Sequence, residues 1–318
     1  MVDGVMRPRL DDELGIADIM RRAFEKRILI PAFNAPYLPM VKPIIEALVD
    51  HETFGLVEVA RLEVEKFGAV SFAAAAQEYW KYMGDRMNRR CTRLHQDHVP
   101  VIDEDGFRVD WRRLILEGLE NGYDSVMIDG SRLPFDENVK ATREVVEMAH
   151  GRGRPVEAEL GAVLGHEREL AQPYEEIYRR KIGFTDPGEA RTFVEETGVD
   201  WLSVAIGNIH GAITRIATDK EKVKAILDVD HLSKIRQATN VPLVLHGGSG
   251  IQIEYLRKAI ENGITKINIG FDIRQAYERA LKARPNDIEY ARRKVYEKIG
   301  QLITEVYGIE GTVHRITD

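Results

Sequence analysis

The stretch "LVLHGGSG", residues 243–250, joins a short apolar run to a turn in which three of the four residues are glycine. A run of leucine and valine this short, followed at once by glycines, is typical of a parallel strand that is buried on both faces. His246 would then stand at the carboxyl end of the strand, and Gly247 would open the connection to a helix. The stretch therefore predicts a βα unit with an imidazole at its strand end.

The same alternation of a short apolar run with an amphipathic segment occurs eight times between residues 28 and 283. Eight such units predict a parallel sheet that closes into a (β/α)8 TIM barrel. An open, doubly wound sheet is the alternative, but no G-x-G-x-x-G follows the first run. The predicted strands are 28–34, 55–60, 92–98, 125–130, 155–160, 200–207, 242–247 and 266–270.

Helical patterns at 12–26 and 286–307 lie outside the repeat. We therefore predict a single domain over residues 1–318, made of an N-terminal helical cap (1–27), the barrel (28–283) and a C-terminal helical extension (284–318). The two additions are expected to plug the barrel, pack on it or contact another subunit. The connection 161–184 is unusually long, and a long loop within a compact barrel is typical of a lid.

The composition indicates an ordinary globular protein, and its charge disfavours two classes of partner. The net charge of −7 would repel nucleic acid and anionic lipid. The chain has one cysteine, Cys91, and no apolar signal segment at its start. These features predict a cytoplasmic protein that binds neither nucleic acid nor membrane.

Metal-type ligands stand at several of the predicted strand ends. Three of them are histidines, His98, His210 and His246, and residues at the carboxyl ends of barrel strands converge on one rim. Three imidazoles with open positions for substrate are typical of a catalytic divalent cation, with Zn²⁺ as the first choice. Taken one at a time, each histidine also fits a hydrogen-bonded structural role.

Carboxylates accompany these histidines. Asp129 and Glu159 are candidates to hold a second cation or an alternative position of the first, and Asp97 is a candidate to move protons without being a ligand. Glu157 alternates with Glu159 on the fifth strand. The glycines that follow His246 favour close approach of backbone N–H groups to an anion, although a tight turn alone would also require them.

Together these residues resemble the class II, metal-dependent, fructose-bisphosphate and tagatose-bisphosphate aldolase family. The resemblance covers nearly the whole chain. Its motifs, in order, are "PAFNAP" (31–36), "HQDH" (95–98), "SVMIDGSRLPFDEN" (125–138), "VEAELG" (156–161), "AIGNIHG" (205–211), "LVLHGGSGI" (243–251) and "KINIGFDIR" (266–274).

The resemblance implies a role for each matching residue. His98, His210 and His246 would bind zinc, Asp97 would handle the hydroxyl proton, and the loop carboxylate Glu167 would take part in proton transfer. A metal bound by the ketose would polarise its carbonyl and stabilise the enediolate left after carbon–carbon cleavage. The implied substrate and phosphate contacts are Asn34, Gly211, Gly247, Ser249, Asn268 and Asp272.

The chain departs from the family pattern on the substrate side. Phe271 stands where many members have a threonine that helps to bind phosphate, and Ala60, followed by Arg61, replaces a substrate-contacting serine. Arg132 replaces a histidine. The altered phosphate site is consistent with a different ketose phosphate, a sugar acid, or an anion held by Arg61, Arg132 or Arg215. Surface ion pairing is the alternative interpretation of each arginine.

The leading functional prediction is an aldolase that cleaves a ketose, phosphorylated or not, into dihydroxyacetone (phosphate) and an aldehyde. A metal-dependent sugar epimerase or isomerase is the second prediction, and a non-catalytic aldolase-like subunit is the third. The intact Asp97 and the complete set of histidines favour a catalyst over an inert subunit. By analogy with the family, a homodimer or homotetramer is expected.

Overall fold

The computed structural model describes residues 14–161, 174–208, 225–248, 251 and 253–317. Eight parallel strands pair in sequence order, and β8 pairs with β1, so the sheet closes into a barrel. The predicted TIM barrel is confirmed. The strands are β1 Ile30–Asn34, β2 Gly55–Ala60, β3 Thr92–Pro100, β4 Ser125–Asp129, β5 Val156–Leu160, β6 Trp201–Val204, β7 Leu243–Leu245 and β8 Ile264–Ile269.

Helices surround the barrel and occur at both ends of the chain. The helices of the described residues are α1 Ile16–Lys26, α2 Val41–Asp50, α3 Arg61–Lys66, α4 Phe72–Trp80, α5 Arg86–Cys91, α6 Trp111–Glu120, α7 Phe135–His150, α8 Tyr174–Arg180, α9 Pro187–Thr197, α10 Val229–Thr239, α11 Ile253–Glu261, α12 Phe271–Ala283, α13 Ile288–Gln301 and α14 Thr312–Thr317. A 3₁₀ turn, Leu38–Met40, precedes α2, and a π-helix, Leu302–Tyr307, follows α13. None of the described helices is long and apolar enough to cross a bilayer.

The short helices α3, α5, α8 and α14 were not predicted, because six or seven residues do not complete two turns of an amphipathic pattern. Helix α8 lies inside the 161–184 connection that was predicted as a lid. The first part of that connection, residues 162–173, lies outside the described residues, so the lid stays a prediction. Helix α3 follows β2 directly and brings its side chains to the rim of the barrel.

Local signals fix several element ends as expected. Asp186 caps α9 by accepting hydrogen bonds from the backbone N–H groups of Gly188 (2.8 Å) and Glu189 (3.0 Å), and Pro187 occupies the first helical position. Gly263 joins α11 to β8 with a φ of +109°, a conformation that favours glycine. These signals depend on near neighbours in the chain, which is why the sequence reveals them.

Helices α1 and α14 close the amino-terminal end of the barrel. Ile19 and Met20 of α1 are fully buried in one apolar cluster with Leu56, Trp201 and Val244, which come from three different strands. Helix α14 packs against α1 and adds Val313 and Ile316 to the same cluster. The N-terminal helix therefore plugs the barrel, one of the roles expected for it, while α13 packs outside against α2 and α12.

Candidate active site

The opposite, carboxyl-terminal end of the barrel holds an open cavity of about 180 Å³. Eight of the candidate residues named from the sequence meet around it, although they come from six strands and the segments that follow them. They are Asn34, Arg61, Asp97, His98, Asp129, Arg132, Gly247 and Asn268. Ligand and catalytic sites of parallel barrels lie at this end because every strand finishes there.

A bulge in β3 turns His98 toward its neighbours. The pairing of β3 with β4 shifts register between Gln96 and Val99, and His98 adopts a φ of +33°, which is uncommon for a residue with a side chain. Its Nδ1 lies 3.3 Å from Oδ2 of Asp129 at the end of β4. Burial opposes the charged imidazole, but Asp97 and Asp129 outweigh it and raise the pKa of His98 to about 9.

His246 lies beside His98, with 4.4 Å between the ring centroids and a T-shaped arrangement. Its Nε2 lies 2.9 Å from Oε1 of Glu157, and its Nδ1 lies 3.1 Å from Oε2 of Glu159. Burial disfavours its charged form, yet these two carboxylates raise the pKa of His246 to about 10. Since a metal binds only neutral imidazole, cation binding at this site must release protons.

The donor set around the two imidazoles fits a divalent cation. In one group His98, Asp129 and Glu159 bring a ligand atom each to within 4.8 Å of one another, and in a second group His98 and His246 do so with Asp97. Imidazole nitrogen and carboxylate oxygen suit Zn²⁺ and other first-row divalent ions. The structure therefore brings together four of the five predicted metal ligands.

Asp97 is held rigidly next to this donor set. Both of its carboxylate oxygens accept hydrogen bonds from side-chain amides, Oδ2 from Asn34 Nδ2 at 2.9 Å and Oδ1 from Asn268 Nδ2 at 3.0 Å. Burial alone would favour the neutral acid, but His98, Lys266 and His246 lower the pKa of Asp97 to about 2. Asp97 is thus a fixed, ionised proton acceptor at neutral pH.

A buried charged layer lies directly beneath the cavity and was missed in the sequence. Lys266 on β8 is fully buried, with its Nζ 3.0 Å from Glu157 Oε2 and 3.2 Å from Glu58 Oε2, and it donates to Asn268 Oδ1 at 2.7 Å. His95 points into the same layer and is bonded to Ser125 Oγ at 2.8 Å. The sequence does contain a signal for this layer, because side chains two residues apart on a strand lie on the same face. Lys266 therefore shares a face with Asn268, and His95 shares one with Asp97.

The charge of Lys266 argues against two alternatives, an amine nucleophile and a second metal ion. Burial opposes its charge, but Glu157 and Glu58 raise its pKa above the ordinary lysine range, so it remains an ammonium and is no amine nucleophile. A third group of possible ligands, Glu58, His95 and Asp97, also lies within 4.8 Å. Because Lys266 already supplies a positive charge there, this group does not favour a second metal ion.

The substrate side contains several of the predicted contacts. Gly247 has a φ of +71°, and the backbone N–H of Gly248 donates to the carbonyl of Asn268 at 3.3 Å, which ties the β7 and β8 loops together. Arg132 lines the cavity from an exposed position, and Phe271 lines it where a threonine would be expected. Asp272 lies in the first turn of α12 and does not line the cavity.

Arg61 also lines the cavity, but carboxylates already surround its guanidinium. Its NH2 atom lies 2.7 Å from Glu65 and 3.3 Å from Asp103, and its NH1 atom lies 3.8 Å from Glu104. The ion-pairing interpretation therefore describes this arginine, and little of its charge is left for a substrate anion.

Four predicted site residues lie outside the described residues. They are Glu167, His210, Gly211 and Ser249. The anion-binding arginine suggested at position 215 lies outside them as well. Whether His210 completes the set of three histidines therefore stays a prediction, and so does the role of Glu167.

The model of the family "Fructose-bisphosphate aldolase class-II" matches residues 15–310. The chain belongs to this family. The match covers α1, the barrel and α13, ends before α14, and includes all the residues placed around the cavity. It supports aldolase activity in general, and class II aldolases are metal-dependent lyases, in keeping with the donor set around His98 and His246.

Solved structures of other aldolases, one of them putative, have the same fold. The YdjI aldolase from Escherichia coli K12 is 28% identical, with 94% of this chain and 98% of that chain covered and a TM-score of 0.73. A putative fructose-1,6-bisphosphate aldolase from Coccidioides immitis is 23% identical, with 93% of this chain and 97% of that chain covered and a TM-score of 0.72. The fructose-bisphosphate aldolase of Campylobacter jejuni is 16% identical, with 94% of this chain and 98% of that chain covered and a TM-score of 0.70.

Proposed function

We propose that this class II aldolase cleaves a ketose, phosphorylated or not, into dihydroxyacetone (phosphate) and an aldehyde, and catalyses the reverse condensation. The observation that carries the proposal is the position of Asp97, an ionised carboxylate fixed by two amides at the edge of a His98 and His246 donor set. A base of this kind is what removal of a hydroxyl proton requires.

Each residue of the site has a separate role in the proposed cleavage. Asp97 accepts the proton of the hydroxyl whose carbon becomes the aldehyde, and the neighbouring carbon–carbon bond breaks. The electron pair of that bond passes toward the ketose carbonyl. A divalent cation held by His98 and His246, with His210 as the proposed third imidazole, would polarise that carbonyl and offset the negative charge. Glu167 is proposed, on the family pattern, to return a proton to the dihydroxyacetone fragment.

The substrate is proposed to differ from fructose 1,6-bisphosphate at its phosphate end. Phe271 places a phenyl ring at the mouth of the cavity, where it donates no hydrogen bond. Gly247, with a φ of +71°, and Gly248 line the cavity next to Asn268, and one anionic or polar end of the substrate is proposed to approach there. We also propose that the protein assembles as a homodimer or homotetramer, which light scattering would test.

Product analysis tests the proposal. The metal-loaded protein should be incubated with a panel of ketoses and ketose phosphates in the presence of Zn²⁺, Mn²⁺ or Co²⁺. An aldolase releases two fragments, whereas an epimerase keeps the carbon number and a non-catalytic subunit releases nothing. Absence of cleavage with every member of the panel would contradict the proposal.

Replacement of the proposed base gives a sharper test of the mechanism. We expect Asp97→Ala to retain bound metal and to lose on the order of a hundredfold or more in kcat, because proton transfer loses its acceptor. Metal content by plasma emission spectroscopy and turnover should be measured on the same samples. Loss of metal together with activity would contradict the assignment of Asp97 as a base outside the ligand set.

A further inference from the structure

Glu63 is a buried carboxyl group on the cavity wall to which the resemblance assigns no role. It belongs to the first turn of α3, and only 8% of its surface is exposed. The side chain lines the same cavity as Asp97 and Asn34. A carboxyl group that is this deeply buried in a binding cavity is rare unless it is paired or serves a function.

Part of the Glu63 carboxyl has a structural task. Its Oε2 accepts the backbone N–H of Ala60 at 2.8 Å, which satisfies a donor at the start of α3. The side-chain amide of Asn34 also favours the ionised form of Glu63, and it donates to Oδ2 of Asp97 at 2.9 Å. Asn34 therefore interacts with both carboxyl groups that face the cavity.

The two carboxyl groups occupy opposite protonation states. Burial, with help from the negative charge of Asp97, raises the pKa of Glu63 to about 8, even though Ala60 N–H, Asn34 and His98 favour the ionised form. Tyr123, which precedes β4, is the other titratable group that faces Glu63. The pKa of Asp97 lies at about 2. At neutral pH the wall therefore presents one acceptor and one acid with an O–H to donate.

The charges around Glu63 indicate which kind of substrate group its O–H would contact. Arg61 lies beside Glu63, but Glu65, Asp103 and Glu104 already surround its guanidinium. These carboxylates therefore offset much of the positive charge of Arg61 on this wall. A neutral acid donor next to an ionised carboxylate suits the hydroxyl of a polyol, which accepts from one group and donates to another.

We propose that Glu63 is a substrate-binding residue that acts in its protonated form and donates a hydrogen bond to a hydroxyl group in the polyhydroxylated part of the ketose. The inference rests on the proposed function. It adds that the substrate has a polyhydroxylated chain and that residues of α3 contact this chain. Deprotonation of Glu63 replaces the donor with a second negative charge, so binding weakens as the pH rises through this group.

Two substitutions separate binding from the structural task. Glu63→Gln keeps an oxygen for the Ala60 N–H and an N–H donor for substrate but does not titrate, whereas Glu63→Leu removes donor and acceptor together. Glu195→Gln is the matched control, because Glu195 on α9 has 62% of its side chain exposed and does not line the cavity. Thermal unfolding checks that each variant folds.

The probe is D-glucitol 6-phosphate, which has no carbonyl and is not cleaved. Its Kd is measured calorimetrically with zinc-loaded protein from pH 6.5 to 9.5. We expect binding to wild type and to Glu195→Gln to weaken about tenfold between pH 7 and pH 9.5, and binding to Glu63→Leu to be about tenfold weaker at pH 7. Glu63→Gln is expected to bind like wild type at pH 7 and to show no alkaline loss.

An alkaline loss in Glu63→Gln equal to that of wild type would overturn the inference. Equal binding of the probe by wild type and Glu63→Leu, including no binding by either, would also overturn it and leave Glu63 as a cap of α3. These outcomes are distinct from failure of the proposed function, which appears as the absence of two-fragment products in the cleavage assay.

Discussion

The interior of the barrel has two halves that are built from the same strands but differ in chemistry. The lower half, at the amino-terminal ends, is an apolar cluster of α1, α14 and strand residues such as Leu56 and Val244. The upper half contains buried ionisable groups, represented by Glu58, Glu157 and Lys266, each with no exposed surface. The lower half stabilises the fold by burial of apolar area, whereas the upper half loses solvation and depends on internal pairing.

Trp201 marks the boundary between the halves. Its ring belongs to the lower apolar cluster, while its Nε1 donates to Oε2 of Glu157 at 2.6 Å. Glu157 in turn contacts Lys266 below the cavity and His246 in the donor set. The comparison shows that a fixed network of charges supports the candidate metal site, and that the apolar plug supports the network. Fixed partners of this kind orient ligands and tune their basicity.

Removal of His246 should have the largest effect on the upper half. We expect His246→Ala to abolish activity and to lower Zn²⁺ affinity by more than about a hundredfold, since loss of a ligand exceeds the effect of losing an outer partner. Competition with a chromophoric chelator measures the affinity. His150→Ala, at an exposed pair with Asp200, is the control. Wild-type zinc affinity in His246→Ala would show that the upper half is not the metal site.

Removal of Lys266 tests whether charge pairing holds the upper half together. Lys266→Met leaves the ionised Glu157 without its ammonium partner, so we expect a loss of about 3–5 kcal/mol in the free energy of unfolding. Urea denaturation provides the measurement. Lys294→Met, which removes an exposed pair with Glu297, should change stability by less than about 1 kcal/mol. If both substitutions changed the free energy of unfolding equally, buried charge pairing would contribute no more to stability than an exposed ion pair.

Truncation in the plug tests the lower half. Ile19→Ala leaves a cavity between α1 and the barrel floor, and we expect it to cost about 3 kcal/mol in the free energy of unfolding. Zinc affinity and kcat per folded molecule should stay at wild-type values, because Ile19 lies in the apolar cluster at the end of the barrel opposite the cavity. A fall in kcat comparable to that of a site variant would show that the halves are not independent.

An exposed ion pair outside both halves should have the smallest effect. Arg191 and Glu195 lie one helical turn apart on α9, with more than half of each side chain exposed. We expect Arg191→Ala to change the free energy of unfolding by about 0.3–0.5 kcal/mol. A change of several kcal/mol at this pair would mean that burial does not explain the difference between the buried and exposed charges.

The sequence predicted the barrel and much of the candidate site for one shared reason. Apolar runs, strand-end polar residues and the glycines after His246 are local patterns, and a closed parallel sheet brings all strand ends to one rim. Asp97, His98, Asp129 and His246 therefore meet as expected. The bounds of β6 and β7 are shorter than predicted, because backbone pairing stops before the polar strand ends do.

The sequence by itself determined the order of the elements, the class of fold and the residue types at the rim, because these depend on periodicity along one chain. Only the tertiary structure decided which groups are charged. Lys266 lies 3.0 Å from Glu157 and 3.2 Å from Glu58, carboxylates surround the guanidinium of Arg61, and burial raises the pKa of Glu63. Ionisation depends on burial and on charges across space, and these come from strands far apart in the chain.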